Sequence, residues 1–260
     1  IGDWSSDVCS SDLGLFEEKD SKSNQMLVDL MWRAACRAYY EYEHSHNPPT
    51  TIDLANPDNS VWDYGFSHGA AAFYVLDMRG HHDVEKNKGK KTGIDPNILL
   101  GQAQFDRFRA WLTSDTVKEA KVLFVVSPVP ILHWIDRLVN YASLGEAKDD
   151  FMDEWGHPTN WDERNRLLEA VFHEIDRSGR KLVFLSGDVH CASVFRLKHR
   201  RFPAACVYQV TSSAISRKPA PQLSLLGISS GGTMDGNKDV TSERLYALAG
   251  AKNFAMIRFR

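Results

Sequence analysis

The stretch KLVFLSGDVHCASVFRL, Lys181 to Leu197, decides the fold class. A greasy run, Leu182 to Leu185, stops at Ser186 and Gly187. Asp188 and His190 follow, two apart, before a second apolar stretch begins. The first run reads as a buried strand with a polar pair at its C-terminal tip. In an extended chain, residues i and i+2 lie on one side, so the pair is expected to point the same way. A hard carboxylate oxygen beside an imidazole nitrogen suits a metal such as Fe, Mn or Zn. Gly187 permits a tight turn and removes side-chain bulk beside an ion. The plainer alternative is that both residues only cap a strand.

Outward from this tip, the chain alternates strands and helices. The segment 162–179, DERNRLLEAVFHEIDRSG, reads as a helix with Asp162 as N-cap and Gly179 just past its end. KVLFVVSPVP, Lys121 to Pro130, is a second buried strand, and Gly101 to Asp115 a helix with Phe105, Phe108 and Leu112 on one face. Ala70 to Asp77 reads as a strand, and Gln25 to Tyr42 as an amphipathic helix stopped by Pro48 and Pro49. Further strands are expected at 193–198 and 206–211. Residues 50–68 read as mostly loop, 131–160 as a long connection and 217–240 as a Pro/Gly/Ser-rich loop, and the alternating NFAMIRFR at the end as a further strand. The rhythm is that of an α/β protein. Polar residues collect just past strand C-termini: Asp77 with Arg79, Ser127, and Asp188 with His190. Open α/β sheets bind ligands at that edge.

Composition narrows the class. The chain has 260 residues, 43% hydrophobic and 25% charged, with net charge -3. That suits a globular protein with a sizeable core and argues against nucleic-acid binding by phosphate neutralisation. No run approaches transmembrane length. Four widely spaced cysteines, with no C-x-x-C, show no zinc knuckle or disulfide framework. Asp3 to Leu13, DWSSDVCSSDL, back-translates to a common sequencing adapter read in one frame, so residues 1–13 are expected to be non-native and the domain to run from 14 to 260. The alternative is a polar N-terminal loop.

Six ordered blocks carry a resemblance: FYVLDMRG, LLGQAQFDRFRAWL, KVLFVVSPVPILHW, DEWGHPTNWDERNRLLEAVF, RKLVFLSGDVHCAS and YQVTSSAIS. Together they resemble the later part of the catalytic domain in the alkaline phosphatase D (PhoD-like) family of metallophosphoesterases, over about residues 25–216. The resemblance implies a β-sandwich flanked by helices, with a metal cluster at the strand C-termini and the N-terminal portion missing. It implies that Asp188 and His190 are metal ligands, with Asp188 in the first position of the superfamily's Gly-His-x-His. Asp77 and Arg79 match a Leu-Asp-x-Arg segment and would orient ligands or face phosphate, the alternative being a buried strand-end ion pair. Asp153 and Trp155 match an Asp-x-Trp block that leans over the site, where Asp153 would offer oxygen to a cation such as calcium, or simply belong to a solvated acidic loop. One departure stands out. Where the superfamily often places a ligand His, this chain has Val126-Ser127-Pro128.

The implied chemistry is metal-assisted hydrolysis of a phosphoester, with Ca, Fe, Mn or Zn as cofactor. The family's earlier ligand blocks, Gly-Asp with a later Asp, and Asp-Asp-His, do not occur in residues 14–76. The complete protein is therefore expected to be the enzyme and this chain inactive. Exported relatives favour a periplasmic or secreted location. Two rivals remain: a non-catalytic binding module of the same fold, and a serine hydrolase using Ser229 of the Gly227–Gly231 G-x-S-x-G. The latter needs a strand before Ser229, a helix after it, and a later His. His44 with His46, His81 with His82, and the charge run Lys86–Lys91 read as solvated loops, and Cys191 as core packing.

Overall fold

The structure, a computed structural model, describes residues 21–80, 98–135, 154–213 and 215–259. The segment 1–13, Asp153, His81, His82 and the run 86–91 lie outside them. The chain divides into two compact units, residues 1–62 and 63–260.

The first unit carries α1 (Ser21–Tyr42), as the amphipathic pattern predicts. Two short 3-10 turns follow, His44–His46 and Pro57–Asn59. His44 is not a solvated loop residue. It is buried, its Nε2 lies 2.9 Å from the Thr50 hydroxyl, and its ring meets Trp62 edge-on at 5.2 Å.

The second unit is built on β1 (Tyr64–His68), β2 (Ala71–Val75), α2 (Gly101–Leu112), α3 (Asp115–Glu119), β3 (Val122–Ser127) and α4 (Trp161–Ser178). Next come β4 (Lys181–Ser186), β5 (Ala192–His199), β6 (Phe202–Ser212), β7 (Gly231–Met234) and β8 (Asn237–Leu248). The strands form one eight-stranded sheet in the order β1-β2-β3-β4-β6-β5-β8-β7. β2, β3, β4 and β6 run parallel, and the remaining neighbours pair antiparallel. The α/β class is as expected. The sandwich is not what the described residues form: they make a single sheet. One of its faces carries a cross-strand row of Phe66, Phe73 and Phe124, stacked at 4.7 and 4.9 Å.

The other face buries the core. Leu123, Val125, Leu182, Phe184, Phe195, Leu197 and Val207 project from the sheet toward Phe108 of α2 and Leu167, Leu168, Val171, Phe172 and Ile175 of α4. The α4 residues recur at helical spacing, forming one apolar stripe. The helix ends where predicted: Gly179 is left-handed (φ 68°) and its N–H donates to Ile175 O at 2.9 Å. Its start differs. Asn160 holds the N-cap position, and Asp162 lies inside the first turn. There Glu163 does a distant job, accepting the N–H groups of Leu99, Leu100 and Gly101 at 2.7, 2.8 and 3.1 Å. Those are the unpaired donors at the start of α2, so one carboxylate caps a helix more than sixty residues away in sequence.

One mostly-loop stretch gains a short strand, and two further expectations are corrected. Part of 50–68 is β1, which pairs with β2. Residues 217–240 contain a 3-10 turn (Gln222–Leu226), β7 and the start of β8. The β7–β8 hairpin turns on Asp235 and Gly236, a two-residue connection whose glycine is left-handed (φ 73°). A side chain at Gly236 would also collide with the Trp161 ring. The tail 251–259 forms no strand, although Phe259 reaches Phe124 with ring centroids 6.2 Å apart.

His133 lies buried in the segment after β3, its Nδ1 3.1 Å from the Ser193 hydroxyl of β5. Burial pushes its pKa down to about 3 from the ordinary value of 6.5. The folded state therefore keeps the ring neutral, while the unfolded chain takes up a proton below pH 6.5. Stability from this group is complete above 6.5 and lost as pH falls toward 3. We expect the unfolding free energy to fall across that window at up to about 1.4 kcal/mol per pH unit from this residue. Urea unfolding at several pH values should show a shallower acid slope in His133→Gln than in the parent; equal slopes would contradict the assignment.

Candidate active site

The C-terminal ends of β2, β3, β4 and β6 all reach one edge of the sheet because these strands are parallel. Asp77 and Arg79 follow β2, Pro128 follows β3, Asp188 and His190 follow β4, and Ser213 follows β6. β5 begins at this edge too, since the chain crosses over the end of β6 before turning back down the sheet.

The tip between β4 and β5 is not extended. Asp188 and His190 both adopt left-handed backbone, φ 69° and 53°. The extended backbone on which the shared-side reading depends is therefore absent, and what replaces it is a tight bend held from outside. Gly187 N–H donates to Pro128 O at 3.3 Å, and Val189 N–H to Gly187 O at 2.9 Å. Cys191 O accepts from Ser213 N–H at 3.3 Å, and His190 O from Ala220 N–H at 2.9 Å. Left-handed backbone at two non-glycine residues costs energy and persists only where surroundings enforce it, which is common at functional sites. Asp188 is exposed and His190 half-buried. Cys191 is buried, as expected, and burial pushes its thiol pKa up.

Asp77 sits two strands from the tip, about 10 Å across the sheet by ordinary strand spacing. Its backbone is clamped by Gln104 of α2, which accepts from Asp77 N–H at 2.8 Å and donates to Asp77 O at 2.7 Å. One carboxylate oxygen accepts from the N–H groups of Arg79 and Gly80 at 2.9 and 2.8 Å, turning the chain sharply. The other, Oδ2, is buried without a hydrogen-bond partner. Arg79 is exposed. The structure thus brings Asp77, Arg79, Asp188 and His190 to one edge, while Asp153 lies outside the described residues. Trp155 is fully buried, its indole N–H donating to the Ser127 hydroxyl at 3.1 Å. Ser127 in turn donates to Val129 O at 2.6 Å, so it supports the loop after β3. Gln104 was not singled out from sequence. Its one visible sign is an amide on the apolar side of α2, near Phe105 and Phe108.

Two observations bear on a metal. The donor types, carboxylate and imidazole, suit a hard or borderline cation. Three oxygens near these strand ends, Asp77 Oδ2, Ser186 Oγ and Ser213 Oγ, are buried without partners among the described residues, and such groups are costly unless something satisfies them. Among the described residues no group of three or more His, Cys, Asp or Glu that could hold a metal lies together. Ser229 does not make a nucleophile elbow. A 3-10 turn precedes it and β7 follows, the reverse of strand-then-helix, and its hydroxyl accepts from Gly231 N–H at 3.2 Å.

The profile of a family described as PhoD-like phosphatase matches residues 3–250. A solved structure described as "Structure of PhoD" is similar at 21% identity and a TM-score of 0.48, over 83% of this chain and 39% of that one. The chain therefore spans about two fifths of the length of that solved protein. No curated protein matches the chain. Among the described residues, no helix is long and apolar enough to cross a membrane.

Proposed function

The chain belongs to the PhoD-like phosphatase family, and on that premise we propose that the complete protein is a metal-dependent phosphoester hydrolase whose reaction edge includes the Asp188–His190 tip. The observation that carries this reading is the tip itself: a carboxylate and an imidazole at the end of a parallel strand, each held in left-handed backbone. Asp188 Oδ and a His190 ring nitrogen would hold the ion, with Asp153 as a further oxygen donor and Ca, Fe, Mn or Zn as the metal. When bound, such an ion supplies a Lewis acid that acidifies water and steadies charge on phosphate. Arg79, carried by the turn that Asp77 makes, would grip a phosphate oxygen. Asp77 holds that turn through two backbone N–H groups, and Gln104 fixes Asp77 in place. The remaining ligands would come from blocks that residues 14–76 do not contain, so this chain alone is proposed to be inactive.

The test is hydrolysis of a phosphodiester and a phosphomonoester by the complete protein, before and after chelation, with Ca, Fe, Mn or Zn restored. We expect turnover to fall to background on chelation and to return with at least one metal. Turnover indifferent to chelation would overturn metal dependence. Robust turnover by this chain alone would show that the ligand set is misassigned. Metal and phosphate binding without hydrolysis would favour the binding-module reading.

A further inference from the structure

The loop that follows β3 touches the tip on both flanks. Ahead of the tip, Pro128 O accepts the Gly187 N–H at 3.3 Å. Beyond it, His133 Nδ1 lies 3.1 Å from the hydroxyl of Ser193, near the start of β5. Between these contacts Val129, Ile131 and Leu132 are buried. The far end of the loop is tied down as well. His133 O accepts from Ser229 N–H at 2.7 Å, and Ile135 N–H donates to Gly227 O at 2.9 Å. The left-handed backbone at Asp188 and His190 needs support of this kind from outside.

One side chain from the sheet grips the middle of the loop: Gln209 of β6. Its cross-strand neighbours are Phe184 of β4 and Phe195 of β5, and all three are fully buried. An amide in that apolar row is costly unless its polar atoms find partners. Here they do. Gln209 Oε1 accepts from Leu132 N–H at 3.0 Å, and Nε2 donates to Leu132 O at 2.5 Å and to the Thr211 hydroxyl at 3.1 Å. The side chain pairs both backbone groups of one loop residue, as a neighbouring strand would. Gln104 does the same to Asp77 after β2. Two buried glutamines on different elements therefore hold the segments that follow β2 and β3 at the edge that carries the tip.

We propose that Gln209 is a positioning residue for the Asp188–His190 tip, acting through the loop Pro128–Ile135, and that it governs how tightly the tip holds a metal ion. The proposal deepens the phosphoesterase reading of this edge and rests on it.

The test is Gln209→Met in the complete protein, a change that keeps length and apolar bulk and removes all three hydrogen bonds. In the metal-free protein, exchange of the Gly187 amide is measured against the slowest-exchanging core amides, which report global opening. We expect Gly187 to gain about tenfold in exchange rate relative to those amides; a residue that only stabilised the core would speed both alike. The metal Kd should rise about tenfold, the lower end of what residues supporting a ligand shell contribute, and excess metal should restore kcat. Should Gln209→Met not fold, Ser193→Ala, which frees the loop from β5 alone, is read the same way with about a threefold change expected in each quantity. Either readout matching the parent overturns the proposal and leaves the phosphoesterase reading standing. A parent that takes up no metal overturns both.

Discussion

Replacing Asp188 or His190 by alanine in the complete protein is expected to abolish metal uptake and phosphoester turnover while the fold survives. The loss should exceed about 100-fold, because even partners outside a metal's ligand shell are commonly worth 10- to 100-fold. The fold should tolerate the change because Asp188 is exposed, and backbone hydrogen bonds of Gly187, His190 and Cys191 hold the tip. Asp188→Gly is the sharper variant. Glycine adopts φ 69° freely, whereas an L side chain pays about 1 kcal/mol there, and glycine's extra unfolded-state freedom offsets most of that gain. Its unfolding free energy should therefore stay within about 1 kcal/mol of the parent, with metal content and turnover lost together. Metal analysis, initial rates and urea unfolding on the same preparations decide it. If metal and rate persist in both alanine variants, the tip is only a strand cap.

The tip's residue types were legible in the sequence; its shape was not. Leu182 to Leu185 followed by Gly187, Asp188 and His190 announces a strand end with polar residues. Left-handed backbone at 188 and 190 depends on carbonyls and amides from Pro128, Ser213 and Ala220, which no local pattern reveals. The same division runs through the fold. The α4 stripe and Gly179 could be read because both are local, as could the continuous apolar runs of β3 and β4, typical of buried parallel strands. The β7–β8 hairpin was missed although Asp235-Gly236 is a strong turn pair, because β8 is mostly polar and buries only Val240 fully, so its sequence carries no clear apolar alternation. The tail 251–259 erred in the opposite direction: its alternation suits a strand, but its backbone finds no partner strand. Gln104 on Asp77 and Glu163 on the start of α2 are contacts between distant segments, which spacing within one sequence cannot disclose.

The largest loss of stability is expected at Asp63, another residue whose role rests on distant partners. Its carboxylate is buried beside β1, accepting from the Tyr74 hydroxyl at 2.5 Å and from Arg107 Nε and Nη2 at 2.9 and 2.5 Å. Tyr74 lies in β2 and Arg107 in α2, so one carboxylate ties the sheet to the helix that also clamps Asp77. Asp63→Ala leaves a buried phenol without an acceptor and a guanidinium without its counter-charge. Breaking a fully buried pair from one side costs about 3–5 kcal/mol; because the Arg107 side chain is 35% exposed and can recruit water, about 3 kcal/mol is the expected loss. For a unit of this size that lowers Tm by roughly 10 °C. Tyr74→Phe should cost only about 1 kcal/mol, since it removes one donor and leaves the ion pair. Replacing Asp63 and Arg107 together by leucine in the Tyr74→Phe background should recover much of the loss, because an apolar trio strands no polar group. The phenol supplies an independent readout. Burial first, and then the Asp63 charge, push the Tyr74 pKa above the ordinary tyrosine range. A raised folded pKa means that this stability is whole below pH 10 and is lost as pH rises beyond it. In Asp63→Ala the phenol should therefore ionise at lower pH, visible in the tyrosinate absorbance. A small change in Tm, or an unmoved phenol titration, would show that α2 is held to the sheet by apolar contacts alone.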